Sequence, residues 1–429
     1  MNQETQSLAL KYLKRDRLVQ LCADLVNIPS PTGQEGAVAN YIAGWLGQFG
    51  IPVQLQEVED ARPNVIGKLK GSGGGFSLTL NAHMDTSFSG TEEDLLTLGE
   101  ISESGRPQAT VEEGTISGLG VNNDKGPLAA ILEATVALKE SGVSLDGDLV
   151  VAGVVGEVGK APVGRHKGRV ARGKGVGTIF LVNHGVVTDY ALVAEPSSFA
   201  VTWALPGVVY LRLTTRGRST YTSFTRRNEE GVSYENAIVT MLPVLKAIDQ
   251  WGARYQKERR CRFPGGEIIP KVNIGAIEGG LPIKPNHSPA VCHAYLDVRV
   301  LPGVKPLDVL REVESVVAQV GASVEAEMYL SQHGCIGEGV EPLREAVETA
   351  HETVFGAPPP RISPEQTSMW NDVNVYNSYG IPSLKYGPSG IGTAYRKKRE
   401  EKLAIDDLFR AAQVYLLAAS TICRGKRST

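Results

Sequence analysis

Three short runs read as buried strands, the first alternating and the other two mostly apolar. Each leads into a residue that can bind a metal or move a proton, and together they constrain the fold of this chain more than any other feature. They are residues 78–83 in LTLNAHMDT, residues 148–155 (DLVVAGVV) and residues 190–194 (YALVA). They deliver His83 and Asp85, Glu157, and Glu195 in turn. Strands of this composition are covered on both faces, as the central strands of α/β sheets are. Open α/β sheets bind ligands beyond the carboxyl ends of their strands, so this order gathers His83, Glu157 and Glu195 at one edge. Side chains two apart on a strand share a face. Asp85 is therefore expected to hydrogen-bond one ring nitrogen of His83 and leave the other for a metal ion. Taken alone, the His-x-Asp tripeptide would equally suit a satisfied strand-end histidine.

The rest of the chain supplies the layers such a sheet needs. Helical periodicity covers residues 6–27 and 34–49, and Pro127 opens a helix whose apolar positions Leu128, Ile131, Leu132 and Val136 form one stripe. A hairpin is expected around residues 112–114. From about residue 201 the strands change to alternating apolar and polar residues, as in VVYLRLTTRG and AVCHAYLDVRVLPG, with helices over 234–250 and 306–320. That βαββα order reads as a smaller α+β domain with one open sheet face. α/β character then returns with a helix over 342–355, a strand over 382–386 and a helix over 405–422. The expected architecture is an α/β catalytic domain, a mixed sheet flanked by helices, made of residues 1–200 and 321–429. An inserted α+β lid and dimerisation domain spans 201–320.

Composition excludes several classes of function. The 429 residues are 42% apolar and 21% charged with a net charge of -3, which leaves no basic footprint for nucleic acid. No apolar run approaches a membrane span, and charges interrupt the N-terminal segment where a signal peptide needs continuity. Five widely spaced cysteines without a Cys-x-x-Cys pair argue against a disulfide framework or a thiolate zinc site. A reduced, cytoplasmic enzyme is expected, with a small-molecule substrate and neither nucleic-acid nor membrane partners.

The ordered set His83-Met84-Asp85, Asn123-Asp124-Lys125-Gly126, Glu157-Val158-Gly159 and Glu195-Pro196 resembles the aminoacylase and carboxypeptidase-type metallohydrolases. The likeness continues through Gly279-Gly280, Asn286, Asp297-Val298-Arg299, Asn371-Asp372 and Gly380-Ile381-Pro382. It implies a two-domain fold, a pair of divalent metals in the catalytic domain, and homo-oligomers built from dimers of the inserted lid.

Departures from that pattern bear on mechanism. Asn123 stands where the family has a metal-bridging carboxylate, Gly156 where it has a general base, and Tyr221 where a histidine reaches a neighbouring active site. No histidine follows His351, so Tyr395 or Lys397 falls where the family's last ligand would be. The expectation is one divalent transition metal (Mn, Zn, Co or Fe), loosely held by His83, Glu195 and either Asn123 or Asp124. Asp85 and Glu157 are the candidate catalytic residues, with Glu157 as general base. Arg299, Arg218, Asn286, Tyr221 and Tyr395 are candidates for substrate binding, Arg299 being as well explained by an ion pair within its strand. For such a reduced site the resemblance implies hydrolytic deamination of an amino-aromatic acid, 5-nitroanthranilate and water giving 5-nitrosalicylate and ammonia, by nucleophilic aromatic substitution. The alternatives are an amidase or exopeptidase acting on N-acyl amino acids or dipeptides, and a catalytically inactive binding relative.

Overall fold

A computed structural model describes residues 8–233, 235–388 and 400–426. The chain divides into two compact units, one of Met1–Trp203, Gly337–Ile362 and Asn371–Thr429, the other of Ala204–Ile336 and Ser363–Trp370.

The first unit is built on a six-stranded mixed sheet in the order Val53–Glu59, Arg62–Leu69, Leu149–Val154, Leu78–His83, Tyr190–Ala194, Ser383–Tyr386. The last four are mutually parallel, and the first two form an antiparallel hairpin at one side. Every residue of Leu78–His83, Leu149–Val154 and Tyr190–Ala194 is buried; the last two are accordingly almost wholly apolar, whereas Leu78–His83 alternates and buries Thr79, Asn81 and His83 as well. Parallel strands need crossover connections, and helices supply them. Helix Gly126–Ser141 has Pro127 in its first turn and stops at Gly142, whose φ of 66° is a left-handed cap. A single apolar stripe is expected for it, yet each residue from Gly126 to Leu138 is buried. The helix lies among strand Leu78–His83, helix Arg15–Asn27 and the C-terminal helix Ile405–Cys423, so no face is left for solvent. Its one buried acid, Glu133, is neutralised by Arg17 of helix Arg15–Asn27, with Nε to Oε2 at 2.6 Å and Nη2 to Oε1 at 2.8 Å.

The inserted unit holds a four-stranded antiparallel sheet in the order Lys271–Gly279, Val291–Val300, Gly207–Arg216, Val324–Gln332. Helices Ala237–Glu258 and Pro306–Ala318 cover one face. Cys292, Ala294, Leu296, Val298 and Val300 alternate inward to meet Met241, Val244, Ile248, Val309 and Val313 in one core. The insertion runs on past residue 320, because Val324–Gln332 pairs with Gly207–Arg216 as a fourth strand. All five cysteines are free. Among the described residues, no helix is long and apolar enough to cross a membrane.

Candidate metal centre

His83 is the last residue of its strand and is 1% exposed. Its Nδ1 lies 2.8 Å from the backbone carbonyl of Asp85 and 3.4 Å from the Asp85 carboxylate. A carbonyl only accepts, so Nδ1 carries the hydrogen, and in the neutral ring Nε2 is the nitrogen left with a lone pair for a metal ion. Within reach of Nε2 are Asn123 Oδ1 at 3.1 Å, Glu195 Oε1 at 3.6 Å and Glu157 Oε2 at 3.7 Å.

The expected tie between the Asp85 carboxylate and His83 is therefore the longer contact, the shorter one being made by the main chain. The carboxylate instead accepts Thr32 Oγ1 at 2.8 Å and the backbone N–H groups of Glu157 and Val158 at 3.1 and 3.2 Å. Its main role in the fold is to hold the turn that carries Glu157.

Asn123 and Asp124 sit in the tight segment Val121–Lys125, entered through Gly120 at a φ of 85°. Gly120 N–H donates to Glu401 Oε2 at 2.6 Å and Lys125 Nζ to the carbonyl of Ile28 at 2.6 Å, so Lys125 supports its loop. Asp124 Oδ2 accepts the backbone N–H of His83 at 3.1 Å, while its Oδ1 is buried without a hydrogen-bond partner. His83, Asp124 and Glu195 each offer a ligand atom within 4.8 Å of the others. A histidine nitrogen, an orphaned carboxylate oxygen and a second buried carboxylate make a donor set that fits one divalent ion of intermediate softness.

The electrostatics agree. Burial, and then Glu195, push Glu157 well above the usual carboxylate range. Asp124 is raised well above it too, by burial and, among the neighbouring acids, by Glu195, and burial raises Glu195. Burial disfavours the His83 cation, but Asp85, Asp124 and Glu157 around it raise its pKa well above the ordinary value. Burial and mutual repulsion thus favour the protonated forms of these acids when no metal is bound.

Position 156 has no room for a side chain. Gly156 has a φ of 63°, and a Cβ there would stand 2.4 Å from Arg62 Nη2 and 2.6 Å from Val176 Cγ1. Arg62 and Glu35 form a fully buried fork, Nε to Oε2 at 2.8 Å and Nη2 to Oε1 at 2.9 Å, and Glu35 also accepts Gly156 N–H at 3.2 Å.

Several residues beside the site have no role assigned from the sequence, although Asn371-Asp372 is part of the family likeness. Asp372 accepts from Thr178 Oγ1 at 2.6 Å and Asn81 Nδ2 at 3.1 Å, and Lys385 is buried in strand Ser383–Tyr386. Asn81 was detectable, being two residues before His83, as was a lysine interrupting an apolar strand. Arg218, Tyr221, Asn286 and Arg299 belong to the inserted unit. There Arg299 forks onto Asp297 through two 2.9 Å bonds, and Tyr221 is 45% exposed beside Phe224 and His287. Asn286 accepts Thr222 N–H through its carbonyl at 3.0 Å, and Arg218 N–H donates to the Glu235 carbonyl at 2.7 Å. Tyr395 and Lys397 lie outside the described residues.

Fold and donor set together are those of a metallohydrolase. Residues 79–421 match the model of peptidase family M20/M25/M40, and the chain belongs to that family. It is 25% identical to the N-formyl-4-amino-5-aminomethyl-2-methylpyrimidine deformylase of Bacillus subtilis, over 100% of both chains. It is 31% identical to acetylornithine deacetylase of Vibrio cholerae over 66% of this chain and 67% of that one. Among solved structures, the dipeptidase Dug1p of Saccharomyces cerevisiae superposes with a TM-score of 0.73 at 13% identity, covering 97% of this chain and 98% of that one.

Proposed function

We propose that this chain hydrolyses a C–N bond of a small acid, as an amidase or exopeptidase acting on N-acyl amino acids or dipeptides, with one divalent transition ion. The observation that carries this reading is the convergence of Asn123, Glu157 and Glu195 on His83 Nε2 within 3.1–3.7 Å. His83, Asp124 and Glu195 would hold the ion, with the Asn123 amide oxygen beside them. When bound, the ion supplies Lewis acidity toward a carbonyl oxygen and lowers the pKa of water. Glu157 takes the proton of the attacking water and returns it to the leaving nitrogen. Its carboxylate is free for this, since it accepts no hydrogen bond among the described residues and stands in place through Asp85. The deformylase and deacetylase relatives, whose names describe removal of an acyl group, favour an amide substrate.

A second reading is hydrolytic deamination of an amino-aromatic acid such as 5-nitroanthranilate, and one observation favours it. Position 156 cannot carry a side chain while Arg62 fills the space, so the turn holds a single acid. Attack on an electron-poor ring sends charge into the ring substituents and asks less of the site than an amide does. Dimers formed through the inserted unit are part of either reading. The edge strand Lys271–Gly279 there pairs on one side only and exposes Ile277.

Incubation of chelated and metal-restored protein with N-acyl amino acids, dipeptides and amino-aromatic acids tests the choice. Metal-dependent release of free amino acids is expected. Ammonia from the nitro-substituted aminobenzoate alone would overturn the amide reading and establish the aromatic one.

A further inference from the structure

Strand Ser383–Tyr386 is buried along its whole length, yet its third residue is a lysine. Lys385 is 0% exposed, and its Nζ has no hydrogen-bond partner. Buried charges are normally paired or serve a site, so an ammonium with its donors unspent needs a purpose.

The sheet register shows where it points. Lys385 lies opposite Val193, and Val193 opposite Asn81, in two parallel pairings. Residues level across a sheet share a face, as do residues two apart along a strand. Asn81 and His83 are two apart, and so are Val193 and Glu195. The Lys385 side chain therefore emerges on the face that carries His83 and Glu195, one rung deeper in the sheet. Burial lowers the Lys385 pKa, and the negative charges of Glu195, Glu157 and Asp124 oppose that and favour the ammonium; Lys174 acts on Glu157 and Glu195 in the same sense.

We propose that Lys385 is a built-in cation of this centre, which neutralises Glu195, Glu157 and Asp124 from the sheet side and thereby limits the cluster to a single divalent ion. The inference rests on the one-ion reading above and deepens it: the chain lacks a second ion because a side chain already supplies positive charge. Repulsion makes the effect measurable. With an effective dielectric of about 20, a monocation weakens binding of a dication by roughly a hundredfold or more at separations up to about 10 Å. Solvent and relaxation reduce this, and at least tenfold is expected.

The test is equilibrium dialysis of metal-stripped full-length protein against Mn2+ and Zn2+, for the wild type, Lys385→Met and Lys385→Gln. Near-ultraviolet circular dichroism confirms the folded state of each. Methionine keeps the length of the apolar stem and removes only donors that have no partner, so both variants are expected to fold. The wild type should bind one ion per chain, and the variants should bind it at least tenfold more tightly or take up a second. One ion in the wild type with dissociation constants unchanged within twofold in both variants would overturn the role of Lys385. Two tightly bound ions in the wild type would instead refute the one-ion reading, and this inference with it.

Discussion

Replacing Arg62 by methionine tests whether the buried fork beneath the Glu157 turn holds the catalytic unit together. Both side chains of the Arg62–Glu35 pair are 0% exposed. Besides its two bonds to Glu35, the guanidinium donates to Glu59 Oε2 at 2.8 Å and to the carbonyls of Arg169 and Arg172 at 3.1 and 2.7 Å. Methionine fills much of the stem's volume but leaves Glu35 with only the N–H groups of Gly33 and Gly156. Removing one partner of a buried ion pair costs about 3–5 kcal/mol. Two orphaned carbonyls add about 1 kcal/mol each at most, and proton uptake by Glu35 recovers part of the loss. A net destabilisation of about 4 kcal/mol is expected, which for a unit of this size lowers the melting temperature by about 6–7 °C. The assay is thermal unfolding of metal-free protein at one scan rate. Glu35→Gln combined with Arg62→Met removes the uncompensated charge while keeping an oxygen for the two glycine N–H groups, and should lose only about 1–2 kcal/mol. A single variant within about 1 kcal/mol of wild type, or a double variant no better than the single, would refute the argument.

Three further outcomes follow from the same geometry. Gly156→Ala forces a side chain into left-handed backbone and against Arg62 Nη2, and should cost about 3 kcal/mol or more; combined with Arg62→Met its penalty should shrink, as double-mutant unfolding measures. Asp85→Asn should lower turnover through a displaced Glu157 while metal affinity, read by calorimetry, stays within about threefold; a fall of about 10–100-fold would instead mark Asp85 as an outer partner of His83. Arg17→Met strands the buried Glu133, but Arg17 is itself 16% exposed, so the cost in unfolding free energy should be about 2–4 kcal/mol.

The parallel sheet was readable because two of its central strands are almost wholly apolar, as burial on both faces requires, and all three have a functional residue at or just beyond the carboxyl end. The inserted sheet was readable for the opposite reason, since Val291–Val300 alternates strictly between helix-covered and open sides. Its fourth strand was missed because Val324–Gln332 is at most half-buried and carries charges at alternate positions, leaving little apolar signal. At the site, His83, Asn123, Asp124, Glu157 and Glu195 converge, as their places at strand ends and turns suggest. Asp85 does lie against His83, at 3.4 Å, but period-two geometry could not reveal that its carboxylate also accepts two N–H groups 72 and 73 residues along the chain. Arg62 and Glu35 were invisible for the same reason. Charged residues 27 apart in sequence read as surface until the fold closes over both.

The altered positions behave as one device and not as separate losses. A glutamate at position 156 would need the space that Arg62 Nη2 occupies, and Arg62 cannot withdraw without abandoning Glu35, whose carboxylate holds Gly156 N–H. The same turn is fastened on its other side by Asp85, so Glu157 is presented in one position from two buried carboxylates. Across the sheet, Lys385 brings a positive charge to the carboxylates that face it. Restoring an acid at position 156 alone would therefore leave the arginine beneath it and the lysine opposite it unchanged. On the proposal above, taking up a second ion would require change in the Glu157 turn and the Lys385 strand together.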